Sequence, residues 1–377
     1  MITSPELLAR LIAFDTVSAR SNLALIDWVE AYLRARAFRV TRYTDPTEAK
    51  AGLFASIGPA GAGMLLSAHS DVVPVEGQIW TRDPFRLSHE HGRYYGRGTT
   101  DMKGFLASML VAADRAAGMR LNEPLKLMIS YDEEVGCTGI AKMIGALSVG
   151  LGQPRGCIVG EPTQMQVAIG HKGKRAFRAV CTGQSGHSAL APHFVNALHL
   201  ATDVVQALRG LQERLARDGA RDDAYDVPYT TVHAGMISAG HALNIVADRA
   251  DVTYEFRHLS ADPADGLEQE IAALAARIAA AHGPRAAIEI LPLAAYPGLD
   301  TAPDAEVVAL MCEITGARTT RVAFGTEAGF FAGLGIPTVV CGPGSMEGQG
   351  HRPDEYLEAD QLAACDEMLG RVLTRLC

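Results

Sequence analysis

The chain has 377 residues, too many for one simple core, so two domains are expected. Hydrophobic residues make up 48% and charged residues 20%, the balance of a soluble globular enzyme, which excludes a disordered chain. A net charge of −9 argues against nucleic-acid and membrane partners, since both favour a basic surface.

The opening stretch "MITSPELLARLIAFD" reads as a helix with Ser4 as its cap and Pro5 at the first helical position, not as a signal peptide. A second helix is expected over 22–36, where Ile26, Val29 and Leu33 keep helical spacing. Strands follow at 53–58 and 64–69, a helix at 101–119, and strands at 125–131 and 156–161. Such alternation predicts an α/β fold: a mostly parallel sheet with helices on both faces. From Lys174 the pattern changes to strand 174–182, helix 194–217, strands 230–237 and 250–257, helix 264–282 and strand 286–293. Adjacent strands without a helix between them predict an antiparallel sheet covered by helices, in a second α/β domain inserted at 174–293. Residues 214–226 read as an exposed loop. The first domain, 1–173, then resumes at 294–377 with helix 303–315, strand "RVAF", helix 326–334, strand "IPTVVC" and a closing helix from about 358. No apolar run reaches membrane-spanning length, and seven scattered cysteines without a C-x-x-C pair suit reduced thiols in a cytoplasm.

The polar residues that end these strands are unusual. His69 and Asp71 follow the second strand, Asp132, Glu133 and Glu134 the third, and Glu161 the fourth; His351 follows "IPTVVC" and Asp101 opens a helix. Open α/β sheets bind ligands beyond the carboxyl ends of their strands, so distant segments deliver His, Asp and Glu to one rim. Carboxylates crowded there would raise one another's pKa values unless cations compensate. His69, Asp101, Glu134, Glu161 and His351 offer two neutral imidazoles and three carboxylates, a charge that two divalent ions sharing one hydroxide neutralise. Mixed N/O donors fit zinc and accept cobalt or manganese, with Asp101 best placed to bridge. Residues i and i+2 of an extended chain share a side, so Asp71 can orient His69.

The motifs "SAHSDVVP", "YGRGTTDMKG", "YDEEVGCTG", "VGEPT", "HKG", "SGHSA", "FGTEAGFF" and "GPGS…GHRPDEY" together resemble the two-zinc amidohydrolases. That family includes acetylornithine deacetylases, succinyl-diaminopimelate desuccinylases, aminoacylases and carboxypeptidases, and the closing segment most resembles the first of these. The resemblance implies a peptidase-like catalytic domain holding two zinc ions per subunit, which cobalt or manganese can replace. It implies His69 and Glu161 on one metal, Glu134 and His351 on the other, Asp101 bridging, Asp71 orienting His69, and Glu133 as general base and acid. It also implies that 174–293 is a lid that pairs two subunits into a homodimer. His187 would then stabilise the oxyanion across the interface and Arg257 would bind the substrate carboxylate, with Asn244 and the Gly325, Thr326 and Glu327 stretch lining the pocket. Lys103 and Lys172 are assigned to structure. Glu347, in the loop before His351, departs from the family pattern.

The expected activity is hydrolysis of the amide bond of a small N-acyl amino acid, foremost N2-acetyl-L-ornithine, by a metal-bridging hydroxide. Another N-acyl-amino-acid hydrolase or a dipeptidase is the alternative within the class. From a different class, a non-hydrolytic binding protein on this scaffold would have lost Glu133 or a ligand; none is missing. "GRGTTDMKG" lacks the spacing of a phosphate loop, which leaves a nucleotide-dependent enzyme without support.

Overall fold

The computed structural model describes residues 2–377. In chain order the elements are α1 (Ser4–Ile12), α2 (Leu23–Arg34), β1 (Arg39–Thr44), β2 (Ala51–Ile57), β3 (Met64–His69), β4 (Ser88–Glu90), β5 (Arg93–Tyr95), α3 (Gly104–Ala117), β6 (Leu125–Ser130), α4 (Thr138–Leu151), β7 (Gly156–Pro162) and β8 (Val167–His171). Then come β9 (Gly173–Thr182), α5 (Ala197–Asp218), β10 (Thr231–Ala239), β11 (Arg249–His258), α6 (Ala264–Ala281), β12 (Ala287–Tyr296), β13 (Leu299–Asp300), α7 (Glu306–Thr315), β14 (Thr319–Val322), α8 (Ala328–Gly333), β15 (Thr338–Gly342), β16 (Tyr356–Glu358) and α9 (Ala359–Thr374). They form two compact units. The first is the chain up to Gly170 with Leu299–Val322 and Thr326–Cys377; the second is His171–Gly298 with Ala323–Gly325.

In the first unit a sheet runs β1-β2-β6-β3-β7-β15-β8-β13, with β14 paired to β8. Its centre, β6-β3-β7-β15, is parallel, and β1, β2 and β8 add antiparallel pairs. The central strands are buried along their whole length, which is why they read as nearly continuous apolar runs. Register shows that both faces carry helices. Ala55 pairs with Leu127, Leu127 with Leu66 and Leu66 with Ile158, so these residues share a face with Gly160. A Cβ on Gly160 would enter the ring of Phe105 in α3. Gly52 lies on the opposite face, and a Cβ there would strike Met143 of α4. Because the central strands are parallel, their carboxyl ends all open on one rim. That rim is where the polar residues gather.

The second unit is an antiparallel sheet, β10-β11-β9-β12, packed against α5 and α6. Ala250, Val252, Tyr254 and Phe256 alternate inward along β11, so one face makes a core with Leu200, Val204, Leu208 and Ile271 while the other stays partly exposed. No helix among the described residues is long and apolar enough to cross a membrane.

Three expectations need correction. The first helix is capped by Thr3, whose amide and hydroxyl both donate to Glu6 at 2.8 and 2.7 Å; Ser4 is already helical and donates to Asp366. Helix α3 starts at Gly104, not 101, because Asp101 (φ −118°, ψ 94°) and Met102 are non-helical. Residues 214–218 continue α5 rather than opening a loop, and Lys172 ties the loop beyond them by donating to the carbonyls of Val227 and Tyr229 at 2.8 and 2.5 Å.

Candidate metal centre

His69, the last residue of β3, is fully buried. Its Nδ1 lies 3.0 Å from the main-chain oxygen of Asp71 and 3.4 Å from the Asp71 carboxylate. A carbonyl only accepts, so Nδ1 carries the proton and Nε2 presents a lone pair. That lone pair faces Asp101 Oδ1 at 3.1 Å and Glu161 Oε1 at 3.5 Å. His351, at the end of the loop after β15, directs Nε2 at Asp101 Oδ2 (3.1 Å) and Glu134 Oε2 (2.9 Å). Asp101 therefore faces a different imidazole with each of its oxygens. The His69 side chain is 0% exposed and that of His351 46%, so the cluster runs from the interior to the surface.

A lone pair aimed at carboxylates is repulsive unless a proton or a cation lies between them. Electrostatics carries the same message. Burial pushes Glu133 and Glu161 well above the usual carboxylate range and Glu134 up to about 7, and repulsion among neighbouring carboxylates adds to each. Burial opposes charge on His69 too, yet Glu161, Asp101 and Asp71 raise it well above its ordinary value; hydrogen bonds to Asp101 and Glu134 raise His351 to about 10. Without a cation the centre must hold protons in its place. Glu134 Oε1 is buried with no hydrogen-bond partner, an open donor position. Atoms of His69, Glu133 and Glu161, and of His69, Asp101 and Glu134, converge closely enough to hold an ion. The donor set fits divalent metal.

The three carboxylates after β6 part company. Asp132 turns away and pairs with buried Lys50 at 2.6 and 2.7 Å. Glu133 accepts from the thiol of Cys137 at 3.3 Å. The main-chain amides of Glu133 and Glu134 both donate to Asp71, to Oδ1 at 3.2 Å and Oδ2 at 3.3 Å, and Ser18 adds a bond of 2.7 Å. Asp71 thus fastens the Glu133–Glu134 turn as well as facing His69. The sequence held no signal for that second task, because an acceptor of main-chain amides leaves no pattern.

His187, Asn244, Arg257 and Gly325 belong to the second unit. His187 and Ile245 form a bridge, and Ser188 donates to the carbonyl of Asn244. The His187 Nδ1 accepts from Ala189 N–H at 3.1 Å, so in the neutral ring the proton sits on Nε2. Arg257 donates to Glu255 at 2.9 Å and to the Tyr296 hydroxyl at 3.4 Å. Gly325 lies against the Tyr296 ring, which a Cβ would penetrate. Thr326, in the first unit, is buried and its hydroxyl accepts from Ala328 N–H at the start of α8. Glu327 is buried beside Ser67. Lys103 donates to the carbonyls of Leu11 and Phe14.

Residues 65–375 match the profile of peptidase family M20/M25/M40. The chain belongs to this family. As an M20 member it is a metal-dependent hydrolase. Over 376 residues it is 34% identical to an acetylornithine deacetylase of Myxococcus xanthus, spanning 98% of this chain and 96% of that one. Identity to the acetylornithine deacetylase of Proteus mirabilis is 32% over 381 residues, 99% and 96% of the two chains. Among solved structures, an M20 metallo-carboxypeptidase from Sulfolobus solfataricus shares the fold with a TM-score of 0.79 at 19% identity, covering 99% of both chains. A dinuclear metal-binding M20 peptidase from Bacillus subtilis does so with 0.69 at 16% identity, covering 99% and 97%.

Proposed function

We propose that this M20 chain hydrolyses the amide bond of N2-acetyl-L-ornithine to L-ornithine and acetate, a step of arginine biosynthesis, in the cytoplasm. The observation that carries the reaction type is Asp101, with one oxygen 3.1 Å from each of two imidazole nitrogens and Glu161 and Glu134 beside them. The substrate is supported by relatives above 30% identity over nearly the whole chain.

His69 and Glu161 would hold one zinc ion, Glu134 and His351 the other, and Asp101 would bridge. Bound there, the ions would polarise the acyl carbonyl and acidify the attacking water. Glu133 takes a proton from that water and returns it to the leaving nitrogen, a task that suits a buried carboxylate whose proton affinity is raised. The His187 Nε2–H is in the tautomer that can donate to the oxyanion. Asn244, Gly325 and Thr326 contribute the walls of the substrate site. The second unit acts as a lid and pairs two subunits, each lending His187 to its partner. Exposed Met236, Ile237, Leu243 and Ile245, on or just beyond the edge strand β10, supply apolar surface for that pairing.

The test is amine release from a panel of N-acetyl and N-succinyl amino acids and dipeptides. N2-acetylornithine should give the highest kcat/KM. A succinylated or dipeptide substrate in first place would replace this reading with the alternatives within the class.

Arg257 is assigned the substrate α-carboxylate, which a guanidinium can grip bidentately. Glu255 already occupies Nε, so the substrate would use the outer nitrogens. Amidating the substrate carboxylate and changing Arg257→Ala should therefore cause overlapping losses in kcat/KM. Fully additive losses would show that Arg257 serves another purpose.

A further inference from the structure

Four residues before Asp101 lies Arg97, and four after His351 lies Glu355. Each is only 1% exposed, and they meet at 2.6 Å. Glu355 Oε2 accepts from Arg97 and from Gly98 N–H at 3.1 Å; Oε1 accepts from Thr100 N–H at 2.9 Å and Asp101 N–H at 3.2 Å. Four donors fill the acceptor capacity of one carboxylate. Arg97 spends its other contacts on neighbouring ligand segments. It approaches the carbonyls of Arg352 at 3.3 Å and Pro74 at 3.4 Å, and donates to Gln78 Oε1 at 2.6 Å. Gln78 in turn donates to the main-chain oxygen of His351 at 2.9 Å.

We infer that the Arg97–Glu355 pair, extended by Gln78, positions Asp101 and His351 and so sets how tightly the centre holds metal. This rests on the reading of Asp101 and His351 as ligands. Stability alone does not account for the pair, because well-packed apolar residues often replace a buried ion pair without loss. What apolar residues cannot supply is a set of acceptors aimed at three amides of one turn. Those bonds hold Asp101 out of the helix that starts at Gly104, so that its carboxylate faces both imidazoles. Arg97 and Gln78 tie the same anchor to the loops of the other ligands. Partners of this kind, one step removed from the metal, typically govern affinity by about ten- to a hundredfold.

The experiment compares the wild type with Glu355→Gln and Gln78→Ala. Each is stripped of metal, checked by far-UV circular dichroism, then titrated with zinc against a chromophoric chelator and with cobalt while visible spectra are recorded. Glu355→Gln keeps the shape but places an amide N–H₂ against donors. It should fold, bind zinc roughly ten- to a hundredfold more weakly, and show altered cobalt bands. Gln78→Ala leaves the ion pair intact and should weaken zinc binding several-fold. A folded Glu355→Gln protein with wild-type zinc affinity and cobalt spectrum overturns the inference. If Glu355→Gln does not fold, Gln78→Ala decides, and wild-type affinity there overturns it equally. A wild-type protein that binds no zinc, or a His351→Ala variant that keeps two ions, would instead refute the ligand assignment.

Discussion

Dialysis against a strong chelator is expected to bring amine release to background, and zinc or cobalt to restore it. The cause lies in the charge of the rim. Asp101, Glu133, Glu134 and Glu161 crowd together, and buried His69 and half-exposed His351 direct their Nε2 atoms at Asp101, Glu161 and Glu134. Without a cation these groups must share protons, and a centre held together by protons lacks the Lewis acid that would polarise the acyl carbonyl and acidify the attacking water. Substituting either histidine should act the same way. His69→Ala and His351→Ala should each lose bound metal, measured by elemental analysis of the purified protein, and each should lose nearly all turnover. The two should still differ in kind. His69 is fully enclosed, so its removal also opens a cavity beneath Asp71 and should lower the unfolding midpoint. The His351 side chain is about half exposed, so its loss should leave stability nearly unchanged. Full activity in a protein shown to be metal-free would end the hydrolase mechanism proposed here.

Much of this architecture was legible because two burial patterns leave different signatures. Parallel strands covered on both faces read as nearly continuous apolar runs, as in β3, β6 and β7; β11 of the second unit, open on one face, alternates. Some elements were missed, among them β1 and β8, although β8 is buried along its whole length. Strands β4, β5 and β16 have three residues each, too few for a period to show. Helix α4, "TGIAKMIGALSVGL", carries three glycines and its periodicity is blurred by them. The meeting of His69, Asp71, Glu133, Glu134, Glu161 and His351 was legible for a topological reason: each ends, or follows, a strand of one sheet, whereas Asp101 follows β5 of the separate sheet β16-β5-β4. Their supports were not. Asp132 is as acidic as its two neighbours, and only Lys50, 82 residues away, draws it out of the cluster. Glu355 reaches the amide of Asp101 across 254 residues. A charged residue on a loop reads as solvated until the fold encloses it.

The sharpest division of labour lies within a single turn. Glu133→Gln is expected to lower kcat by at least about a hundredfold, the usual scale for losing a general acid–base group, while metal content stays at the wild-type level. Glu134→Gln is expected to lose metal along with turnover. The geometry explains why neighbours should behave so differently. Both amides are held by Asp71, one on each oxygen, so the two side chains leave a common clamp. Glu134 extends to His351 at 2.9 Å, with its second oxygen buried and unpartnered. Glu133 instead takes a hydrogen bond from the Cys137 thiol, which leaves its other oxygen to handle a proton. The amide of glutamine fills the same space as the carboxylate, so packing around α4 should be kept and the unfolding midpoint should hold. What the substitution removes is a basic oxygen. Because Glu133 can also converge with His69 and Glu161, the metal count is the decisive measurement. A Glu133→Gln protein that loses an ion would make Glu133 a ligand, and one that keeps both ions and near-normal kcat would move the proton transfer elsewhere in the rim.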